Sequence, residues 1–445
     1  MVERPNVLLL IGDDHGYPYF GFTGSEIVQT PQLDLLAEEG VVFTRAYSTS
    51  NVCRPALWTL LTGLYPHQMH ALVAKRTGTR FTPGRAGIAQ WRDADLAYVE
   101  AIRSDPDTLP RAFARAGYAT FQSGKYWEGS YRTAGFAEGM TRGAGRDAWN
   151  QLGGEGISIG RPSLKPVLDF IDSNQEQPFF VWYAPMLPHW PYNAPDRLRE
   201  PYERTGVSPA AAEYYANCSW FDESVGELLE HLGRRGLRDR TLVVYVSDNG
   251  FQMESDANYG HAHGGPQGKL STHEQSFHTP IILNYPGRIE AGRVDESLVS
   301  SADLYPTLLD YAGAQGSSRA LGTSLRPRLE DRATETREHL IGSTTFVRVS
   351  ESELRADASA PEPGDPWELL NREAIFHLVS EDWHYLHNQT RDERALYDVG
   401  DASPEPRNVV ASHKELVGDY ADRIEAWKAE LLRSVGSSEV DGSRP

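Results

Sequence analysis

The pair Asp13-Asp14 and the run Ser247-Asp248-Asn249-Gly250 each follow an apolar segment, Val7–Ile11 and Thr241–Val246 respectively. Their carboxylate and carboxamide oxygens suit a hard divalent cation, Ca2+ first with Mg2+ or Mn2+ as alternatives, and suit zinc poorly. Either segment alone is ordinary turn chemistry. Together they point to a metal site at Asp13, Asp14, Asp248 and Asn249. Between them lies Asn51-Val52-Cys53-Arg54-Pro55-Ala56-Leu57-Trp58, which contains one of only two cysteines. Pro55 marks the first turn of an expected helix. A thiol at that helix end meets unpaired N–H groups and the positive dipole end, so it is poised for chemistry. A thiolate pointing at a hard cation is a mismatched soft ligand, whereas an aldehyde hydrate offers two oxygens. The mismatch suggests conversion of Cys53 after translation, with an unmodified thiol as the alternative. Cys218 reads as a small core residue on a helix.

The elements that must position these groups are legible in outline. Val7–Ile11 reads as a strand buried on both faces, Pro31–Gly40 as a short helix, and Val41–Tyr47 as a second strand. A helix from Asp107 to Ala116 leads into a strand ending near Lys125. Pro178–Tyr183 is a strand, and Ala210–Arg235 is a long helix before Thr241–Val246. This alternation predicts an α/β fold, a large mostly parallel sheet sandwiched by helices, with ligands at the carboxyl ends of its strands. Asp13, Lys125, His189 and Asp248 all lie just past such ends. Ala71–Ser104, with Arg76, Arg80, Arg85 and Arg92, and glycine-rich Ala134–Arg161 read as loops. Trp91, Trp127, Trp149 and Trp190 lie in or beside these candidate pocket loops and could stack on a ring. A break near Ser343 and the acidic, proline-rich stretch 357–366 precede an expected hairpin, Ala374–Val379 with Trp383–His387, and a helix from His413 to Leu432. The expected division is residues 1–345 for the catalytic domain, 346–433 for a small antiparallel α+β subdomain, and 434–445 for a disordered tail.

The chain resembles the type I sulfatases of the alkaline phosphatase superfamily. The resemblance rests on the Cys53-x-Pro55 segment and on Gly124-Lys125-Tyr126-Trp127-Glu128-Gly129. It extends to Pro188-His189-Trp190-Pro191, to Gly268-Lys269 with Glu274 and Thr279-Pro280, and to Ala302-Asp303-Leu304-Tyr305-Pro306-Thr307-Leu308. It implies that Asp13, Asp14, Asp248 and Asn249 hold the metal. Cys53 would be the formylglycine precursor and nucleophile, made by a formylglycine-generating enzyme. Lys125 and Lys269 would bind the sulfate, and His189 would be an oxyanion contact or general acid. The implied reaction is metal-dependent hydrolysis of a small or saccharide sulfate ester. Two positions depart from the family pattern. Leu57 stands where the family has the arginine of Cys-x-Pro-x-Arg, and Trp127 where it has the histidine of Gly-Lys-x-His. Arg54 lies about 100° around the helix from Cys53 and is no easy substitute. His261 and His263, which precede Lys269, are candidate substrate-binding replacements for the lost histidine, ahead of His15 and His273. The alternatives are a phosphodiester or phosphonate monoester hydrolase on the same site, and a binding protein that no longer cleaves its sulfated ligand.

Composition narrows the partners. A net charge of −19 argues against nucleic acid or an anionic membrane. No leader, spanning segment or disulfide framework is read, so the expectation is a cytoplasmic chain.

Overall fold

Val7, Leu9 and Ile11 pack into one apolar cluster and Leu8 and Leu10 into another. This two-residue period belongs to a strand covered on both faces. Phe180 and Trp182 against Phe179, Val181 and Tyr183 divide in the same way, as do Leu242, Val244 and Val246 against Val243 and Tyr245. The computed structural model describes residues 4–77, 88–142, 154–251, 268–269, 271–330, 335–344, 375–389, 392–401 and 406–436.

In chain order the strands are β1 (Asn6–Gly12), β2 (Val41–Phe43), β3 (Ala46–Tyr47), β4 (Ala119–Gly124), β5 (Glu138–Gly139), β6 (Phe179–Ala184) and β7 (Thr241–Ser247). They continue with β8 (Ile281–Asn284), β9 (Arg293–Asp295), β10 (Val299–Ser300), β11 (His339–Thr344), β12 (Ile375–Ser380), β13 (Trp383–Asn388) and β14 (Glu393–Asp398). Eight of them form one sheet in the order β5-β4-β6-β1-β7-β8-β2-β9. β5, β4, β6, β1 and β7 run parallel, and β8 is antiparallel to both its neighbours. The carboxyl ends of β4, β6, β1 and β7 therefore meet at one edge. The four-stranded antiparallel sheet β11-β12-β13-β14 stands apart near the chain's end, covered by the helix Lys414–Gly436.

Three expectations need correction. Val41–Tyr47 is two strands in two different sheets, because β3 leaves the main sheet to pair with β10. The region expected as a loop from Ala71 to Ser104 contains the end of the helix Pro66–Thr77 and the whole of the helix Ile88–Ser104. Ala97, Tyr98, Ala101 and Ile102 are buried, an i, i+1, i+4, i+5 pattern that polar neighbours conceal. The break expected near Ser343 falls within β11, which pairs along its whole length with β12. The stretch 357–366 lies outside the described residues. Among the described residues no helix is long and apolar enough to cross a membrane.

The small sheet docks on the segment that follows Lys269. Arg45 donates to the carbonyls of Ser380 and Glu381, both at 2.6 Å. The His377 ring stacks on Phe277 at 4.1 Å, and a Cβ at Gly342 would collide with it, so the facing strand needs glycine there. Both ring nitrogens of His377 and Nε2 of His384 lack hydrogen-bond partners among the described residues. Burial holds His377 far below the usual histidine range and His384 at about 4, the latter against the attraction of Glu274. Both imidazoles thus take up protons more readily in the unfolded chain. Their cost to the fold is absent well above the ordinary value of 6.5 and grows as pH falls through it, until the folded-state value is reached. By about pH 5 His384 alone should cost about 2 kcal/mol. Urea denaturation is expected to show falling stability from about pH 7 to about pH 5, with a flatter profile for His377→Phe and for His384→Phe. Parallel profiles for native chain and variants would contradict this assignment.

Candidate active site

β1 ends at Gly12, and Asp13 and Asp14 turn into the sheet edge. Asp13 N–H donates to Leu187 O at 2.9 Å, tying β1 to the loop after β6. Asp14 adopts the left-handed region at φ 62, which aspartate tolerates better than most residues. Its N–H donates to Asp248 Oδ1 at 3.1 Å, and Tyr214 OH donates to its carbonyl at 2.7 Å. Asp248 N–H returns a bond to Gly12 O at 2.9 Å. Asn249 Nδ2 donates to Asp14 Oδ1 at 2.7 Å and to Gly250 O at 2.8 Å. The helix Cys53–Thr62 begins at extended Val52 and ends at left-handed Gly63, and it sinks Trp58, Leu60 and Leu61 into the core. That burial fixes the direction of Cys53.

These elements bring the expected residues together. Lys125 Nζ donates to both oxygens of Asp13, at 2.6 and 2.7 Å. Lys269 Nζ donates to both oxygens of Asp14, at 2.7 and 3.0 Å, and lies 3.3 Å from Cys53 Sγ. His189 Nε2 is 3.6 Å from Asp14 Oδ2. Ligand atoms of Asp13, Cys53 and Asp248 lie within 4.8 Å of one another, as do those of Asp13, Asp14 and His189.

The electrostatics are unbalanced. Burial raises Asp248 well above the carboxylate range, and the charges of Asp13 and Asp14 add to this against the two lysines. Asp14 is held at about 2 despite its burial, because Lys269, His189 and Lys125 surround it. Burial would lower both lysines, yet Asp13 beside Lys125 and Asp14 beside Lys269 push them up. The Cys53 thiol is pushed up by burial in spite of both lysines. Three carboxyl groups thus face two ammonium groups. Asp248 Oδ2 and Asn249 Oδ1 are buried with no hydrogen-bond partner among the described residues, a costly arrangement. Two orphaned oxygens beside two further carboxylates fit a hard divalent cation. The thiol of Cys53 is the one donor in the set that does not fit it.

Both departures from the family pattern are filled by apolar packing. Leu57 is buried in the core, and Trp127 packs on the same cluster, with Lys125 Nζ 5.9 Å from its ring centroid. Arg54 turns to Glu128, donating from Nε at 2.8 Å and Nη2 at 3.1 Å, while Trp58 Nε1 donates to the same carboxylate at 2.7 Å. His261 and His263 lie outside the described residues. His15 is a core residue stacked on Phe20 at 3.8 Å, with burial lowering it to about 3. His273 caps a turn by accepting from Gln275 N–H. Neither is placed as the replacement base. The side chains of Trp91 and Trp149 lie outside the described residues, and Trp190 is half-exposed beside His189.

Arg161 was missed in the sequence. It donates to the carbonyls of Met186, His189 and Pro191 and to Asn193, and its guanidinium lies over Trp220. Asn217 on the long helix donates to the carbonyls of Pro188, His189 and Pro191. Together they clamp the turn that presents His189. Backbone carbonyls as targets leave no side-chain motif to detect.

A stripped protein given Ca2+ at a hundredfold excess over its Kd should gain about 2.7 kcal/mol of stability. The gain should be read as a rise in melting temperature and should be lost in Asp248→Ala. A melting temperature indifferent to Ca2+, Mg2+ and Mn2+ would contradict the metal assignment.

The sulfatase family model matches residues 5–314. The N-acetylgalactosamine-6-sulfatase of Canis lupus familiaris is 30% identical over 365 residues, covering 74% of this chain and 66% of the relative. This chain thus spans just under two thirds of that relative's length. Among solved structures, Ps i-CgsB in complex with a neocarrahexaose superposes with a TM-score of 0.71 at 22% identity, covering 96% of this chain and 93% of that one. The phosphonate monoester hydrolase of Agrobacterium radiobacter gives 0.65 at 20% identity, with 96% of each chain covered. These two likenesses concern the fold. The match to the family model, which spans residues 5–314 and with them the segments that build the site, places this chain in the sulfatase family.

Proposed function

We propose that this chain hydrolyses sulfate esters of saccharides at the carboxyl edge of its main sheet. In this reading Asp13, Asp14, Asp248 and Asn249 hold one divalent cation, Ca2+ ahead of Mg2+ or Mn2+, and residue 53 carries the nucleophile. The observation that supports it most is the position of Cys53 Sγ. It sits 3.3 Å from Lys269 Nζ and within 4.8 Å of carboxylate oxygens of Asp13 and Asp248. When bound, the cation supplies positive charge for a tetrahedral oxyanion. Lys125 and Lys269, buried beside residue 53 and held by Asp13 and Asp14, would stabilise charge developing there once the cation takes up those carboxylates. His189, clamped from behind by Arg161 and Asn217, is the group placed to meet a leaving oxygen. Formylglycine at position 53 would replace the ill-matched thiol by oxygens, and a formylglycine-generating enzyme is then a required partner. The saccharide assignment draws on the relatives, one named for N-acetylgalactosamine 6-sulfate and one solved with a carrageenan hexaose. Residues 1–345 carry the site in this division and 346–433 the smaller subdomain, which recruits β11 into its sheet.

A phosphodiester or phosphonate monoester is the second reading. Tetrahedral oxyanions differ mainly in charge, and a phosphonate monoester hydrolase shares the fold. Two measurements decide. Mass spectrometry of the peptide carrying residue 53, after thiol alkylation, is expected to find the aldehyde, and a quantitatively alkylated cysteine would remove the formylglycine route. Competing aryl sulfate and aryl phosphodiester substrates are expected to show preference for the sulfate, with Lys269→Ala lowering kcat by about a hundredfold or more. Preference for the phosphodiester would install the second reading, and binding without turnover would leave a binding protein.

A further inference from the structure

A cationic cavity opens at the same edge of the main sheet. After β4, Ser130 forms an antiparallel bridge to Arg142, and Tyr131 N–H donates to Thr141 O at 2.8 Å. A short 3-10 turn, Tyr131–Ala134, follows. The strand on the other side of the cavity is β5, where Gly139 leaves room for the Tyr131 ring, since a Cβ there would lie 2.7 Å from it. The resulting cavity, of about 440 Å3, is lined by Ser130, Tyr131, Arg132, Gly139 and Arg142.

Its chemistry is that of an anion site. Arg132 Nε donates to Tyr131 OH at 3.0 Å and its guanidinium lies over the Tyr131 ring at 5.4 Å. Neither Arg132 nor Arg142 forms an ion pair among the described residues, and Glu138 beside them pairs with neither. In a chain of net charge −19, two arginines with no ion pair among the described residues, beside two hydroxyl side chains in one cavity, run against the overall acidity. Arginine forks and hydroxyls match sulfate or carboxylate oxygens.

Its position relates it to the candidate active site. β5 runs parallel to β4 with Gly139 beside Gln122, so residues 140–142 leave the sheet at the edge where Lys125 stands. β5 is three strands from β1 in the sheet order, which is about 14 Å at about 4.8 Å per strand. We propose that this cavity binds a second anionic group, a sulfate or carboxylate, on an extended saccharide whose scissile ester lies at Cys53. The ligand's identity rests on the sulfate-ester reading above, whereas the anion site rests on the arginines alone. The preferred substrate is then a polyanionic oligosaccharide rather than a single sulfated ring.

The test is calorimetric binding of a sulfated carrageenan oligosaccharide, and of its desulfated counterpart, to the native chain and to Arg132→Ala/Arg142→Ala. Both side chains are exposed, so the double variant should melt like the native chain. The sulfated ligand is expected to bind about tenfold more weakly to the variant, the loss of one charge-assisted contact or more. The desulfated ligand should not distinguish the two. Turnover of a small aryl sulfate, which cannot span the two sites, should be unchanged in the variant. Equal affinity of the sulfated ligand for both proteins, or no binding to the native chain, would overturn the proposal. Absence of aryl sulfate turnover in the native chain would instead count against the sulfate-ester reading, leaving the binding comparison intact.

Discussion

The structure depends on one electrostatic constraint. Three carboxyl groups, from Asp13, Asp14 and Asp248, are buried together where β1 and β7 end. Charges of one sign in a water-poor site repel strongly, and each has lost its hydration. The fold keeps them there by surrounding them with compensation. Lys125 arrives from the end of β4, Lys269 from the segment after β7, and the helix Pro209–Arg234 anchors the Asp14 carbonyl through Tyr214. What remains uncompensated among the described residues is one carboxylate oxygen and one carboxamide oxygen, donors of the kind a divalent cation takes.

Parallel pairing is what makes this convergence possible. Strands β4, β6, β1 and β7 all point the same way, so four chain segments far apart in sequence deliver side chains to one edge. The Cys53 helix approaches the same edge, its buried face held by the core through Leu57 and Trp58. Leu57 and Trp127, the two apolar replacements, both pack on the core cluster beside residue 53. Arg54 pairs with Glu128. The task left thinly staffed is the handling of residue 53 itself, whereas Lys125, Lys269 and His189 all stand beside the buried carboxylates.

Much of this could be read from the amino acids because strands buried on both faces announce themselves as continuous apolar runs. Val7–Ile11 and Thr241–Val246 are such runs, and the aspartates that follow them stand out by contrast. The fold class, and the meeting of Asp13, Asp14, Cys53, Lys125, His189, Asp248, Asn249 and Lys269, followed from that pattern joined to the family resemblance. Other features carry no such signal. The helix Ile88–Ser104 hides its buried face among charged residues, β11 is a short run broken by glycine, and the switch from β2 to β3 happens within two residues. Arg161 could not have been singled out, because most of its partners are backbone carbonyls that every residue possesses. The anion cavity at Arg132 and Arg142 likewise depends on a bridge between loops that no local pattern predicts.

The central claim is that the four side chains at the ends of β1 and β7 form a divalent cation site at which residue 53 is aimed. A crystal structure of the full chain grown with Mn2+, with anomalous diffraction collected at the manganese edge, tests it most directly. The account predicts a single strong anomalous peak bounded by Asp13, Asp14, Asp248 and the Asn249 oxygen, with residue 53 beside it. A peak elsewhere, or a lysine ammonium in that position with no metal bound, would contradict it.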